Sequence, residues 1–170
     1  MPAVSSNVLK WEEVCADRSL RHLPYKVETT GGGKLLLTKL TVQRSYQQAD
    51  IMVRLSHLMP HGKVRASSPI ETSDGTRVAD ACWISRERWL PQRKQWSATT
   101  APEICVELLS DFNCREYALS KLPLYFERDA LETWLCDEEG AVEFYSRDAM
   151  TKAMPNSRLC PEFPTRIETE

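Results

Sequence analysis

Residues 101–145, APEICVELLSDFNCREYALSKLPLYFERDALETWLCDEEGAVEFY, decide the fold. Ile104, Cys105 and Val106, then Leu108 and Leu109, make the continuous apolar run of a strand covered on both faces. Glu107 stands inside that run, and an ionised carboxylate there is costly unless a metal or a cation compensates it. A polar turn over 110–113 follows. From 115 to 128, Ala118, Leu122, Tyr125 and Phe126 recur at helical spacing, which predicts an amphipathic helix packed on the sheet. Pro123 inside it predicts a kink, or a start shifted toward Leu122. Residues 132–137 and 141–145, joined by Glu138-Glu139-Gly140, read as a hairpin.

Working outward, Lys121 precedes Leu122 at the border of the apolar helix face. Its stem can lie along the sheet while its ammonium reaches toward Glu107. Upstream, the turn signal Ser73-Asp74-Gly75 introduces a strand over 76–84, TRVADACWI, in which Asp80 interrupts Val78, Ala79, Ala81, Cys82, Trp83 and Ile84. Two strand-borne carboxylates converging at a sheet edge offer hard oxygen ligands to Mg²⁺ or Mn²⁺. A nearby lysine would orient a water or offset charge developing on a phosphate. The competing readings are plain: Glu107 as a structural carboxylate bonded to Lys121 or to backbone amides, Asp80 as a solvated acid, Lys121 as an exposed helix lysine. Bringing Asp80 and Glu107 together also predicts a raised pKa for at least one of them when no metal is bound.

SDGTRVADACWIS, APEICVELLS and KLPLYFERDALETWLCDEEGAVEFY together resemble the Uma-two family of restriction-endonuclease-like proteins, which carry the PD-(D/E)XK nuclease fold. The resemblance runs from about Trp11 to Tyr145 and is strongest after Asp74. It implies a metal-dependent endonuclease acting on DNA, with Asp80 in place of the motif aspartate and Glu107 in place of the acid on the next strand. Lys121 would be the lysine moved from strand to helix, and Asp80 and Glu107 the ligands of Mg²⁺ or Mn²⁺. Glu28, in YKVETTGG, falls where the family has a glutamate before a glycine-containing turn. It joins Asp80, Glu107 and Lys121 as a candidate catalytic residue. The chain departs from the pattern at Leu109, two residues after Glu107, at Leu109-Ser110-Asp111-Phe112, and at Arg44-Ser45, where an Arg-His is typical. A homodimer is the expectation the fold carries for cutting both strands. The alternative is a nuclease-fold protein that no longer cleaves and serves as a nucleic-acid-binding or protein-interaction module.

The rest of the chain fits one mixed α/β (α+β) domain, a central sheet flanked by helices, over residues 1–170 with its core over about 8–146. With 170 residues and 42% hydrophobic content, it can bury a full core. Asn7 would cap a helix over 8–16, and 25–29 with 34–40 would form a hairpin around Gly31-Gly32-Gly33. A long helix is predicted over 42–59, and two short strands over 63–67 and 70–72. Residues 147–170 read as a polar tail with 159–167 extended on the surface. Without a bilayer-length apolar run or the basic and apolar regions of a signal peptide, the expectation is a cytoplasmic protein with no membrane partner. The six cysteines lack a C-x-x-C pair and read as core residues, and His22, His57 and His61 lack ligand spacing. A net charge of −2 gives no global attraction for DNA. Binding would fall to local basic surfaces: Arg86, Arg88, Arg93 and Lys94 interleaved with Trp89 and Trp96, or Lys34, Lys39 and Arg44.

Overall fold

The chain folds around a six-stranded sheet in the computed structural model, which describes residues 9–110 and 115–169. Asn7 and most of the turn after Ser110 lie outside the described residues. The sheet comprises β3 (Lys63–Thr72), β4 (Gly75–Ile84), β5 (Ile104–Leu108), β6 (Glu132–Cys136), β7 (Val142–Ser146) and β8 (Ala149–Met154), side by side in that order. Only β5 and β6 run parallel, because α4 (Arg115–Phe126) carries the chain between them. The remaining neighbours are antiparallel. Apart from these, β1 (Tyr25–Thr29) and β2 (Leu35–Lys39) form a two-stranded hairpin, and α2 (Val42–Leu58) follows it.

Strand alternation sorts the core onto two faces. Ala81, Trp83, Ile104, Val106, Leu108, Trp134 and Phe144 pack with Ile51 and Leu55 of α2 and with Met59 just after it. Cys105, Leu135 and Tyr145 point the other way, onto Ala118, Leu122, Tyr125 and Phe126 of α4. Odd-numbered Glu107 therefore faces α4. That helix runs through Pro123, and it begins at Arg115 as the spacing predicts.

Three expectations change. Helix α1 (Trp11–Ala16) starts three residues later than expected, where the Glu13 carboxylate accepts a hydrogen bond from the Lys10 amide. The two short strands over 63–72 are one strand: Ser67 takes a positive φ of 48° and is left out of the pairing opposite Asp80, and the same register resumes at Ser68. The segment after Tyr145 is no surface tail. It supplies edge strand β8, then buries Cys160, Phe163 and Ile167 against Trp134 and its neighbours, with Phe163 on the Trp134 ring at 4.6 Å. Glu132 fastens it, accepting from Trp134 Nε1, Ser157 Oγ and the amides of Arg158 and Leu159 at 2.6–3.0 Å. No helix among the described residues is long and apolar enough to cross a membrane.

The β3–β4 turn also seats β1. Gly75 has φ +79°, and a Cβ there would lie 2.3 Å from the Thr29 carbonyl oxygen. Asp74 accepts a hydrogen bond from the Gly31 amide at 2.8 Å. Gly75→Ala should cost about 1–3 kcal/mol in urea unfolding through overpacking and backbone strain. Gly32→Ala, whose Cβ would meet only Thr30 Oγ1 at 3.8 Å, should change stability little.

Candidate active site

Strands β4 and β5 pair through Trp83–Ile104, Cys82–Cys105 and Ala81–Val106 and then part. Past that point the β5-facing edge of β4 needs other partners, since buried backbone groups do not go unpaired. Side chains supply them. Asp80 Oδ2 accepts from the Leu108 amide at 2.8 Å, which takes the place of the next ladder bond. From β1, Glu28 Oε1 accepts from the Val78 amide at 2.7 Å and Lys26 Nζ donates to the Val78 carbonyl at 3.1 Å. Thr29 Oγ1 accepts from the Thr76 amide at 2.9 Å. Lys26 and Glu28 are two apart on one strand, so both face this gap.

The four residues named from the sequence meet there. Lys121 lies 2.6 Å from Glu28 Oε1 and 2.8 Å from Glu107 Oε1. Tyr125, one turn further along α4, donates to Glu107 Oε1 at 2.6 Å. Tyr117 donates to Glu28 Oε2 at 3.0 Å. Glu28, Glu107 and Lys121 are wholly buried, and Asp80 is 2% exposed.

Two further cations complete the cluster, and neither was read as a site residue from the sequence. Arg44 sits in the first turn of α2, which Thr41 caps by accepting from the Arg44 amide at 3.2 Å. Its guanidinium turns inward to Asp80 Oδ2 at 2.7 Å and the Leu108 carbonyl at 3.0 Å. Lys26 Nζ lies 3.0 Å from Asp80 Oδ1 and 3.4 Å from Glu107 Oε2. Three carboxylates thus face three cations in the buried interior. The sequence carried one signal for Lys26: its period-two spacing from Glu28 in a strand beside two buried acids.

At Asp80 the cations work against the rise that two neighbouring carboxylates would produce. Burial pushes the Asp80 carboxyl up, but the charges of Lys26, Arg44 and Lys121 and the Leu108 amide overcome this and hold it at about 2. Glu28 is likewise lowered: burial raises it, and Lys121 and Lys26 outweigh that. Burial alone would lower Lys26, yet Asp80, Glu107 and Glu28 leave it raised. The prediction of a raised carboxylate took Asp80 and Glu107 as bare like charges, whereas Lys26 stands between them.

Whether this set suits a divalent cation turns on which oxygens are engaged. Asp80 Oδ2 and Glu107 Oε1 are held from several sides. Asp80 Oδ1 and Glu107 Oε2 converge on one positive charge, the Lys26 ammonium, beside the Val78 carbonyl. Two carboxylate oxygens and a carbonyl around one position are the kind of hard-oxygen donors that Mg²⁺ or Mn²⁺ takes. Glu28 is directed elsewhere, and among the described residues no cluster of three His, Cys, Asp or Glu side chains is placed to hold a metal.

The basic surfaces fare differently. Arg44 leaves the Lys34–Lys39 surface for the interior. Arg88 is spent on Glu103 and on the carbonyls of Ala101 and Asp129. Trp89 lies under the Arg65 guanidinium at 4.6 Å, while Trp96 is 60% exposed.

No protein-family model matches the chain, and no curated protein matches it by sequence. Among solved structures it is similar to a "putative nuclease belonging to DUF820" from Anabaena variabilis, with a TM-score of 0.68, 14% identity and 95% of each chain covered. At that identity the likeness establishes a shared fold, which agrees with the mixed sheet flanked by helices expected from the sequence and with the fold that the family resemblance implies.

Removing one member of a buried ion cluster leaves an uncompensated charge. Lys121→Met should therefore cost about 3–5 kcal/mol of unfolding free energy. The Asp80 contribution has a definite sign with pH. Its folded pKa lies below the ordinary 3.8, so its stabilisation is complete above that value and is lost as pH falls toward 2. The stability gap between the wild type and Asp80→Asn should narrow over that window by on the order of 2 kcal/mol in urea titrations.

Proposed function

We propose that this chain is a nuclease that hydrolyses phosphodiester bonds of DNA, with Mg²⁺ or Mn²⁺ held by Asp80 and Glu107. The observation that carries it is the meeting of Glu28, Asp80, Glu107 and Lys121 where β4 and β5 part, in a fold shared with a nuclease-type protein. When bound, the divalent cation supplies charge that offsets the negative charge developing on a phosphate.

The chain's own groups have separable tasks in this reading. Asp80 Oδ1 and Glu107 Oε2 offer the ligand oxygens, and Arg44 and the Leu108 amide fix the Asp80 carboxylate from behind. Tyr125 and Lys121 hold Glu107 through its other oxygen, and Glu28 holds Lys121 in turn while the β1–β2 hairpin is closed over the site. Lys121 then keeps a donor beside the ligand pair, able to orient a water toward the phosphate. Because these groups are buried, substrate access requires the β1–β2 hairpin to lift. That hairpin belongs to a separate sheet, so its displacement leaves the six-stranded ladder intact.

A second reading rests on the pairing itself. Three buried cations match three buried carboxylates, which suits a nuclease-fold protein that keeps the cluster for stability and acts as a binding module.

Purified protein should nick plasmid DNA in Mn²⁺ or Mg²⁺ and lose the activity in chelator. Asp80→Asn and Glu107→Gln, chosen to preserve shape, should each lower the rate by at least about a hundredfold while remaining folded. Because the residues act as a unit, the double variant should be little worse than either single one. Equal cleavage by wild type and Glu107→Gln would mark a contaminant, and no cleavage by any of them would leave the binding-module reading.

A further inference from the structure

The two ligand oxygens of the proposed metal position, Asp80 Oδ1 and Glu107 Oε2, share Lys26 and have no other partner among the described residues. Every other carboxylate oxygen of the cluster has a partner besides Lys26: Asp80 Oδ2 has Arg44 and the Leu108 amide, Glu107 Oε1 has Lys121 and Tyr125, Glu28 Oε1 has Lys121 and the Val78 amide, and Glu28 Oε2 has Tyr117. Lys26 Nζ also takes the Val78 carbonyl, the third oxygen facing the same point. The ammonium thus stands where a hard cation would stand and satisfies the same acceptors. We propose that Lys26 is a built-in competitor for the divalent cation, so that metal enters only when the Lys26 side chain leaves.

This rests on the metal-dependent reading above. Charge makes the two states exclusive. With Lys26, Arg44 and Lys121 all in place the cluster is already balanced, and a divalent ion added beside the Lys26 ammonium would be repelled at contact distance. With Lys26 withdrawn, the two carboxylates have lost one cation and can accept another. A long, flexible stem makes withdrawal a rotamer change, and Lys26 already reaches the cluster from the hairpin that must move for access. The protein therefore binds metal with an affinity reduced by the fraction of molecules in which Lys26 is out. Lys121 cannot play this part, because the oxygens it holds are not the converging pair.

The test is Mn²⁺ binding followed by the electron paramagnetic resonance signal of free Mn²⁺, without DNA, on wild type, Lys26→Gln, Lys26→Met and Lys121→Met. Removing the Lys26 charge should tighten Mn²⁺ binding by at least about tenfold. Lys121→Met should not reproduce this gain. Should both Lys26 variants unfold without metal, Mn²⁺ should refold them as followed by circular dichroism, and failure to refold counts against the proposal. If wild type binds Mn²⁺ and the Lys26 variants bind it no more tightly, Lys26 is no competitor, and the nuclease reading stands unharmed. If wild type and both Lys26 variants all bind nothing at about 10 mM Mn²⁺, the carboxylate pair is no cation site. That result overturns this inference and the metal-dependent reading together.

Discussion

The structure depends on keeping Asp80, Glu28 and Glu107 charged while they are buried. Burying a lone carboxylate costs several kcal/mol, and each added carboxylate would repel the others. The chain meets this by drawing one cation from each of three separate elements: Lys26 from β1, Arg44 from α2 and Lys121 from α4. Helix α2 also packs Ile51 and Leu55 into the core, so the element with little apolar reason to be there is β1. α4 does have an apolar face on the sheet, but β1 contributes chiefly polar side chains to its contact with β4. The ion cluster is what brings the small hairpin against the large sheet.

The parting of β4 and β5 turns this requirement into a site. If the two strands had paired along their whole length, their amides would be satisfied by backbone, and no carboxylate would be needed between them. Instead Asp80 stands in for a strand, taking the Leu108 amide, and β1 attends to Val78 and Thr76 with side chains. A gap served by side chains can be rearranged at the cost of rotamers, which a backbone ladder does not allow.

How much of this was legible follows from the same physics. Asp80 and Glu107 stand out because each breaks an apolar strand run, and Lys121 because it borders an apolar helix face. The paired strands and the order of helices follow from periodicity. Glu28 rested on the family resemblance, since YKVET is too short and too mixed to mark its buried face. Lys26 and Arg44 were hidden because lysine and arginine are exposed by default, and their burial exists only through partners distant in sequence. Two strand-borne acids with a single candidate lysine left the charge unbalanced, a deficit that called for a further cation without naming it. The tail was misread for a related reason: its apolar residues, Cys160, Phe163 and Ile167, are spaced among prolines and polar groups without strand or helix period.

Glu132 shows why burial of a carboxylate is not by itself a mark of function. It is 2% exposed, yet its partners are an indole, a hydroxyl and two backbone amides, each fixed by the fold. Such donors cannot be exchanged for a metal without dismantling the segment that carries them, so Glu132 is a fastener. Asp80 and Glu107 share the same degree of burial but are joined by an ammonium on a flexible stem, a partner that can leave while the backbone stays. What separates a structural carboxylate from one able to take a ligand is whether the charge opposite it is removable. In this fold that distinction comes down to Lys26.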